Sequence, residues 1–320
     1  MNLSRGVIQT PDQNGAQRND SWFAMRLSLA FGVLLLAGKI LAYFLTRSSA
    51  ILADAAESVV HVVATGFAAF SLRLSARPAV RTFLYGYERI SFFSAGFEGA
   101  MIGVAGVTII VTSVREWLGG LRLENVGFGS LLILGAGVVN AALGWYLVRT
   151  GRRVHSLILE ANGKHVLTDS LTSFGVLIGL VLVLATRWKP FDPIVAMAVA
   201  LNILWSGGNL IWRSVQGLLD YSDPKVGEEI QEKLDTLAKQ LGVRYHGLRF
   251  RSTGHRQLIE CHLLFPRNTL LADAHWLATS VEQLLPKQLS FPAEVLTHLE
   301  PVDDDEVHPL PHYTGVPKSL

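Results

Sequence analysis

The chain has 320 residues, of which 50% are hydrophobic and 17% charged, and its formal net charge is +2. A soluble chain carries about a quarter charged residues, so this composition, with a mean hydropathy of +0.34, excludes an ordinary soluble globule and points to a chain largely embedded in lipid. The small net charge gives no footing for a nucleic-acid partner, and a single cysteine, Cys261, excludes an intrachain disulfide.

Residues 1–20 are polar and lack the apolar stretch of a secretory signal. Six segments then approach the roughly 20 residues needed to cross a bilayer. They run about Ser21–Thr46, Ala50–Leu72, Ile90–Trp117, Phe128–Val148, Ser156–Thr186 and Pro193–Trp212. The second and fifth are the least apolar. Gly96, Gly99, Gly103 and Gly106 in the third, and Gly175 and Gly179 in the fifth, give small residues at spacings that let helices approach closely in lipid. Basic residues cluster after segment two (Arg73, Arg77, Arg81) and after segment four (Arg149, Arg152, Arg153). By the positive-inside rule both termini are then cytoplasmic. The predicted membrane domain is 21–215.

The remainder, 216–302, reads as helix, strand, strand, helix, strand. Asp223 is suited to cap a helix with Pro224 in its first turn, and Val226–Gln240 has helical spacing. Arg244–Arg251 and Leu258–Phe265 alternate like strands around a Ser-Thr-Gly turn. Ala272–Leu285 is a second amphipathic helix and Glu294–Glu300 a last strand. Residues 303–320 are acidic and proline-bearing, the composition of a disordered tail.

Two pairs of metal-ligating residues lie inside the least apolar spans: Glu57 with His61, and His165 with Asp169. Each is spaced i, i+4, so both side chains of a pair fall on one helix face. Such residues are costly at membrane depth unless they serve a purpose. Two imidazoles and two carboxylates suit Zn²⁺, Fe²⁺, Co²⁺ or Ni²⁺ better than Mg²⁺ or Ca²⁺, which take all-oxygen shells. The bland alternative is that the pairs are hydrogen-bonding glue between helices. Asp54, three residues before Glu57, is a further acid that could join the site. Asn162 and Asn140 read as packing hydrogen bonds.

These residues resemble the cation diffusion facilitator family of metal/proton antiporters. The resemblance rests on ILADAAESVVH (Ile51–His61), FLYGYERISFFSAGFEG (Phe83–Gly99), EANGKHVLTDSLTSFGV (Glu160–Val176), FDPIVA (Phe191–Ala196) and GLLD (Gly217–Asp220). In the soluble part it rests on HGLRFRSTG, ECHLLFP, DAHWLA and THLEP. It implies a homodimer with a six-transmembrane-helix bundle per protomer, followed by a small cytoplasmic α+β domain, ferredoxin-like with αββαβ order. It implies a transport site of Glu57, His61, His165 and Asp169. Segment two departs from the usual DxxxD or HxxxD pattern by showing ExxxH, which rearranges the donors and leaves the metal open. In the loop after segment two, where some members hold another metal, Val80, Phe83 and Tyr87 stand instead of ligands. By position, Arg89 and Asp220 match a charge interlock at the dimer waist. His246, His262, His275 and His298, with Glu300, match the metal-binding positions of related cytoplasmic domains. A regulatory Zn²⁺ there is the expectation.

The implied activity is efflux of a cytoplasmic divalent cation, Zn²⁺ first and Fe²⁺, Co²⁺, Ni²⁺ or Cd²⁺ also compatible, against entering protons. A bacterial inner membrane is the expected location. Three rivals use the same residues. An intramembrane metalloenzyme would need an open coordination position and a placed general base, and no HExxH occurs. A passive channel would need weaker, multiple sites. A metal-binding sensor or structural protein would bind without flux.

Overall fold

A computed structural model of the chain describes residues 11–46, 49–119, 128–188 and 190–302. The chain divides into two compact units, Met1–Val215 and Gln216–Leu320. The expected tail, 303–320, lies outside the described residues, as do residues 1–10.

Among the described residues, six helices lie wholly or mostly in the first unit: α1 (Pro11–Thr46), α2 (Ser49–Ser75), α3 (Ile90–Gly119), α4 (Phe128–Arg153), α5 (Leu157–Thr186) and α6 (Phe191–Leu218). Helix α1 begins ten residues before the expected span, because Pro11 fits a first helical turn and nothing polar that follows breaks the helix. Among the described residues, three stretches are long and apolar enough to cross a membrane on composition alone: Asn19–Gly38, Ile90–Gly119 and Pro193–Leu218. Helices α2, α4 and α5 are not singled out by that measure. The outward surface is itself apolar. Leu34, Val63, Phe70, Phe93, Val104, Val181, Leu201 and Trp205 are all more than half exposed, a pattern a water-soluble chain avoids.

Helix α5 is the axis of the bundle. On one side Ile158, Leu159 and Val166 join a buried cluster with Met25 of α1, Ala68 of α2 and Leu147 of α4. On the other, Ala161 joins a cluster with Ala95 and Ile102 of α3 and Ile203 and Leu210 of α6. Ser156 caps α5, its hydroxyl accepting from the Leu159 amide. Two glycine crossings set the spacing. A Cβ on Gly163 would stand 2.7 Å from the Val148 backbone nitrogen, and one on Gly99 would stand 2.9 Å from the Gly207 carbonyl oxygen. Any side chain there would force α4 from α5, or α3 from α6.

Near the start of α5, the buried Glu160 accepts from Arg213 of α6 at 2.7 Å, with Lys164 Nζ at 3.3 Å and Arg152 of α4 at 3.7 Å. In the same part of the unit, Arg153 donates to Asp20 at 2.6 Å. After α2 the chain turns through a short bridge between Val80 and Phe83, with the Phe83 and Tyr87 rings 4.8 Å apart.

The second unit has α7 (Pro224–Leu241), β1 (Arg244–Ser252), β2 (Gln257–Phe265), α8 (Leu271–Gln288) and β3 (Ala293–Pro301). Asp223 caps α7 by accepting from the Lys225 amide, and Gly242 ends it in the left-handed region, which favours glycine. The sheet order is β1-β2-β3, antiparallel between β1 and β2 and parallel between β2 and β3. The crossover from β2 to β3 runs through α8. Ile230 and Leu234 of α7, Ala278 and Val281 of α8, and Leu248, Phe250, Ile259, Cys261 and Leu263 of the sheet form one core. Helices therefore cover one sheet face, and the alternate residues line the other.

Candidate metal centre

The spacing of polar contacts sets the register of α2 against α5. Thr65 meets Asn162, and His61 meets His165. Moving forward along α2 moves backward along α5, so the helices are antiparallel. Asn162 is the packing residue expected of it: its Nδ2 donates to Ser28 Oγ at 2.9 Å and it accepts from Thr65 at 3.4 Å, joining α1, α2 and α5.

At the centre, His61 Nδ1 and His165 Nε2 are 2.7 Å apart, and His61 Nδ1 is 3.3 Å from Asp169 Oδ2. One donor atom from each of the three residues lies within 4.8 Å of the others. His165 is buried, and His61 and Asp169 are about one quarter exposed, so the site has a shielded side and an open side. Donors around a tetrahedral ion with bonds of 2.0–2.1 Å stand about 3.3 Å apart. The His61–Asp169 separation fits that. The two imidazoles sit at hydrogen-bond distance and would part by roughly half an ångström to admit an ion. Two nitrogens and one carboxylate oxygen form a donor set suited to a borderline divalent cation.

The structure thus brings together three of the four expected ligands. Glu57 and Asp54 both lie on α2, but their side chains are outside the described residues. A further residue, absent from the sequence-based expectations, belongs to this centre. Glu98 of α3 is 0% exposed, and its Oε2 lies 3.4 Å from His165 Nδ1. A signal for it existed, since Glu98 is the lone charged residue between Ile90 and Val114, and an acid in an apolar span marks a functional position.

In the second unit the expected cytoplasmic residues form a row. His246 of β1, His262 of β2 and His298 of β3 are direct cross-strand partners. The register shifts between His246 and Arg249, at a bulge that carries Gly247 at φ +62°. The bulge keeps both flanking residues on the helix-free face, where Arg249 pairs with Glu260 at 3.0 Å. A Cβ at Gly247 would stand 3.4 Å from the His262 ring. Glu300, 5% exposed, lies 2.7 Å from His246 Nε2, 2.8 Å from His262 Nδ1 and 3.7 Å from His298 Nε2. His246, His262 and Glu300 form a three-donor cluster. His298 lies at its exposed edge, and His275 stands exposed on α8, outside the cluster. Of the expected charge interlock, Asp220 lies 3.4 Å from Arg251 in its own unit, and Arg89 immediately precedes α3 in the other.

Known proteins share both halves. The family model described as the cation efflux transmembrane domain matches residues 25–219, and that of the cation efflux protein cytoplasmic domain matches 226–302. An uncharacterised transporter of a Synechocystis strain is 32% identical over 278 residues, covering 87% of this chain and 89% of its own length. The cation-efflux pump FieF of Citrobacter koseri is 28% identical over 270 residues, covering 84% and 88%. That of an Escherichia coli strain is 28% identical over 274 residues, covering 85% and 90%. The apolar exterior, the buried donor cluster and these matches along most of the chain agree: this is an integral membrane protein of the cation diffusion facilitator family.

Proposed function

We propose that the protein exports a divalent metal ion across the membrane in exchange for protons. The cargo is Zn²⁺ in first place, with Fe²⁺, Co²⁺, Ni²⁺ and Cd²⁺ compatible. The observation that carries this reading is the convergence of His61, His165 and Asp169 from two helices of a lipid-type bundle. Membership of a metal cation efflux family supports a transporter rather than an enzyme. Glu57 is the fourth ligand in this reading. The antiparallel pairing of His61 with His165 supports this, since one further turn along each helix leads to positions 57 and 169.

Proton coupling follows from the donor chemistry. Metal requires deprotonated imidazole and carboxylate, so ions and protons compete for the same lone pairs. A proton descending a 100 mV potential supplies about 2.3 kcal/mol. Six spans, with both termini cytoplasmic in a bacterial inner membrane, complete the arrangement. The protein acts as a homodimer. A Zn²⁺ held by His246, His262 and Glu300, with His298 and His275 of the exposed surface adding donors at the dimer seam, regulates it. Metal uptake into proteoliposomes under an imposed pH gradient tests the transport reading, and cross-linking in membranes tests the dimer.

A further inference from the structure

We infer that Glu98 is a positioning residue of the membrane metal centre, accepting the Nδ1 proton of His165 and so presenting His165 Nε2 as the donor to the ion. The inference rests on His165 being a ligand, as proposed above.

Glu98 is fully buried, and among the described residues neither of its oxygens accepts a hydrogen bond of good geometry. A carboxylic acid held away from water with so little hydrogen bonding costs several kcal/mol, so its retention calls for a function. Its Oε2 faces His165 Nδ1 at 3.4 Å, while the other ring nitrogen, Nε2, faces His61 at 2.7 Å. A neutral imidazole carries one proton, and the group hydrogen-bonded to one nitrogen decides which nitrogen keeps its lone pair. An acceptor on the Nδ1 side places the proton there and leaves the Nε2 lone pair aimed at His61 and Asp169. Carboxylate–histidine–metal chains work in this way elsewhere.

The helix that carries Glu98 is fixed in place. Gly99, its neighbour, sits against the Gly207 carbonyl of α6 with no room for a side chain, and Ser214 of α6 donates to the Phe92 carbonyl at 2.6 Å. The acceptor is therefore preset by α3–α6 packing rather than by the two helices that supply the ligands. When an ion draws His165 Nε2 away from His61, a sub-ångström shift of the ring shortens the Nδ1–Glu98 contact into a hydrogen bond.

The test uses the full chain carrying His246→Ala and His262→Ala, so that the membrane centre is read alone. Zn²⁺ affinity is measured by calorimetry for Glu98, Glu98→Gln, Glu98→Leu and His165→Ala proteins. Glu98→Gln keeps an acceptor oxygen and the volume, and its affinity stays near that of the parent. Glu98→Leu loses the acceptor, and its affinity falls about 10–100-fold. Its metal-free thermal midpoint is no lower than the parent's, because an uncompensated buried acid has been removed. The ¹⁵N shifts of His165 in the parent show Nδ1 protonated, and Glu98→Leu loses that preference. Unchanged affinity in Glu98→Leu, equal losses in the Gln and Leu variants, or a parent His165 protonated on Nε2 would each overturn the inference. If His165→Ala itself binds Zn²⁺ as the parent does, the ligand assignment fails instead. Should Glu98→Leu not fold, the Gln variant and the parent ¹⁵N shifts still decide.

Discussion

Thr65 and Asn162 meet across the α2–α5 crossing, the threonine hydroxyl donating to the asparagine side-chain carbonyl at 3.4 Å. Asn162 also donates to Ser28, so one fully buried amide ties three helices together one turn from the metal centre. Interhelical hydrogen bonds in membranes contribute about 0.5–2 kcal/mol. Asn162→Ala should therefore lower the thermal midpoint in detergent while leaving Zn²⁺ affinity within a few-fold of wild type. Loss of metal binding with an unchanged midpoint would show that Asn162 is a ligand, not a strut.

Glu300 is shared by His246 and His262 at 2.7 and 2.8 Å. Glu300→Ala removes the one carboxylate of that row. In the full-length protein it should weaken Zn²⁺ binding at the cytoplasmic cluster by about tenfold or more, while pH-driven transport continues. Metal stoichiometry by atomic spectroscopy, set beside flux, separates the two effects. Unaltered stoichiometry would place any cytoplasmic ion elsewhere.

Cys261 lies in the core of the second unit, where burial, aided by the nearby Glu282 carboxylate, pushes its thiol from the ordinary 9.0 up to about 12. The thiolate is the reactive form, so thiol reagents at pH 8 should label Cys261 only after unfolding. The sign of the linkage follows. The folded state holds its proton to higher pH than the unfolded state, so the stabilisation is complete below about pH 9 and is lost as pH rises toward 12. Tyr245, half-buried and donating to Asp235, is shifted the same way. A denaturation series from pH 8 to pH 11 should show falling stability of this unit. A flat profile would contradict the burial of Cys261 and the Tyr245–Asp235 hydrogen bond.

The HxxxD of α5 and the histidine of α2 were readable because i, i+4 spacing puts donors on one face whatever the partner helix does. The order αββαβ was readable from caps, alternation and the Ser-Thr-Gly turn, where Gly254 indeed takes a positive φ. The small residues of α3 were readable as packing points: Gly96, Gly99 and Gly106 meet Ser214, Gly207 and Leu204 of α6. Glu98 is not legible in that way because it has no metal-ligating residue one turn away on its own helix. Its contact with His165 exists only once α3 is pressed onto α5. His275 shows the reverse. Its position in sequence joins it to the cytoplasmic histidines, but its helix leaves it exposed, away from the row that β-register creates.

The central claim is that metal crosses the membrane through His61, His165 and Asp169. The most direct measurement is initial uptake of Zn²⁺, with Fe²⁺, Co²⁺, Ni²⁺, Cd²⁺ and Mn²⁺ in parallel, into proteoliposomes under an imposed pH gradient. Wild-type protein, His165→Ala and Asp169→Ala are compared at matched helical content and thermal midpoint. The account predicts saturable, gradient-dependent uptake of Zn²⁺, or of another borderline cation in the panel, by the wild type, falling to the protein-free level in both variants. Wild-type rates in His165→Ala, or uptake indifferent to the gradient, would contradict it.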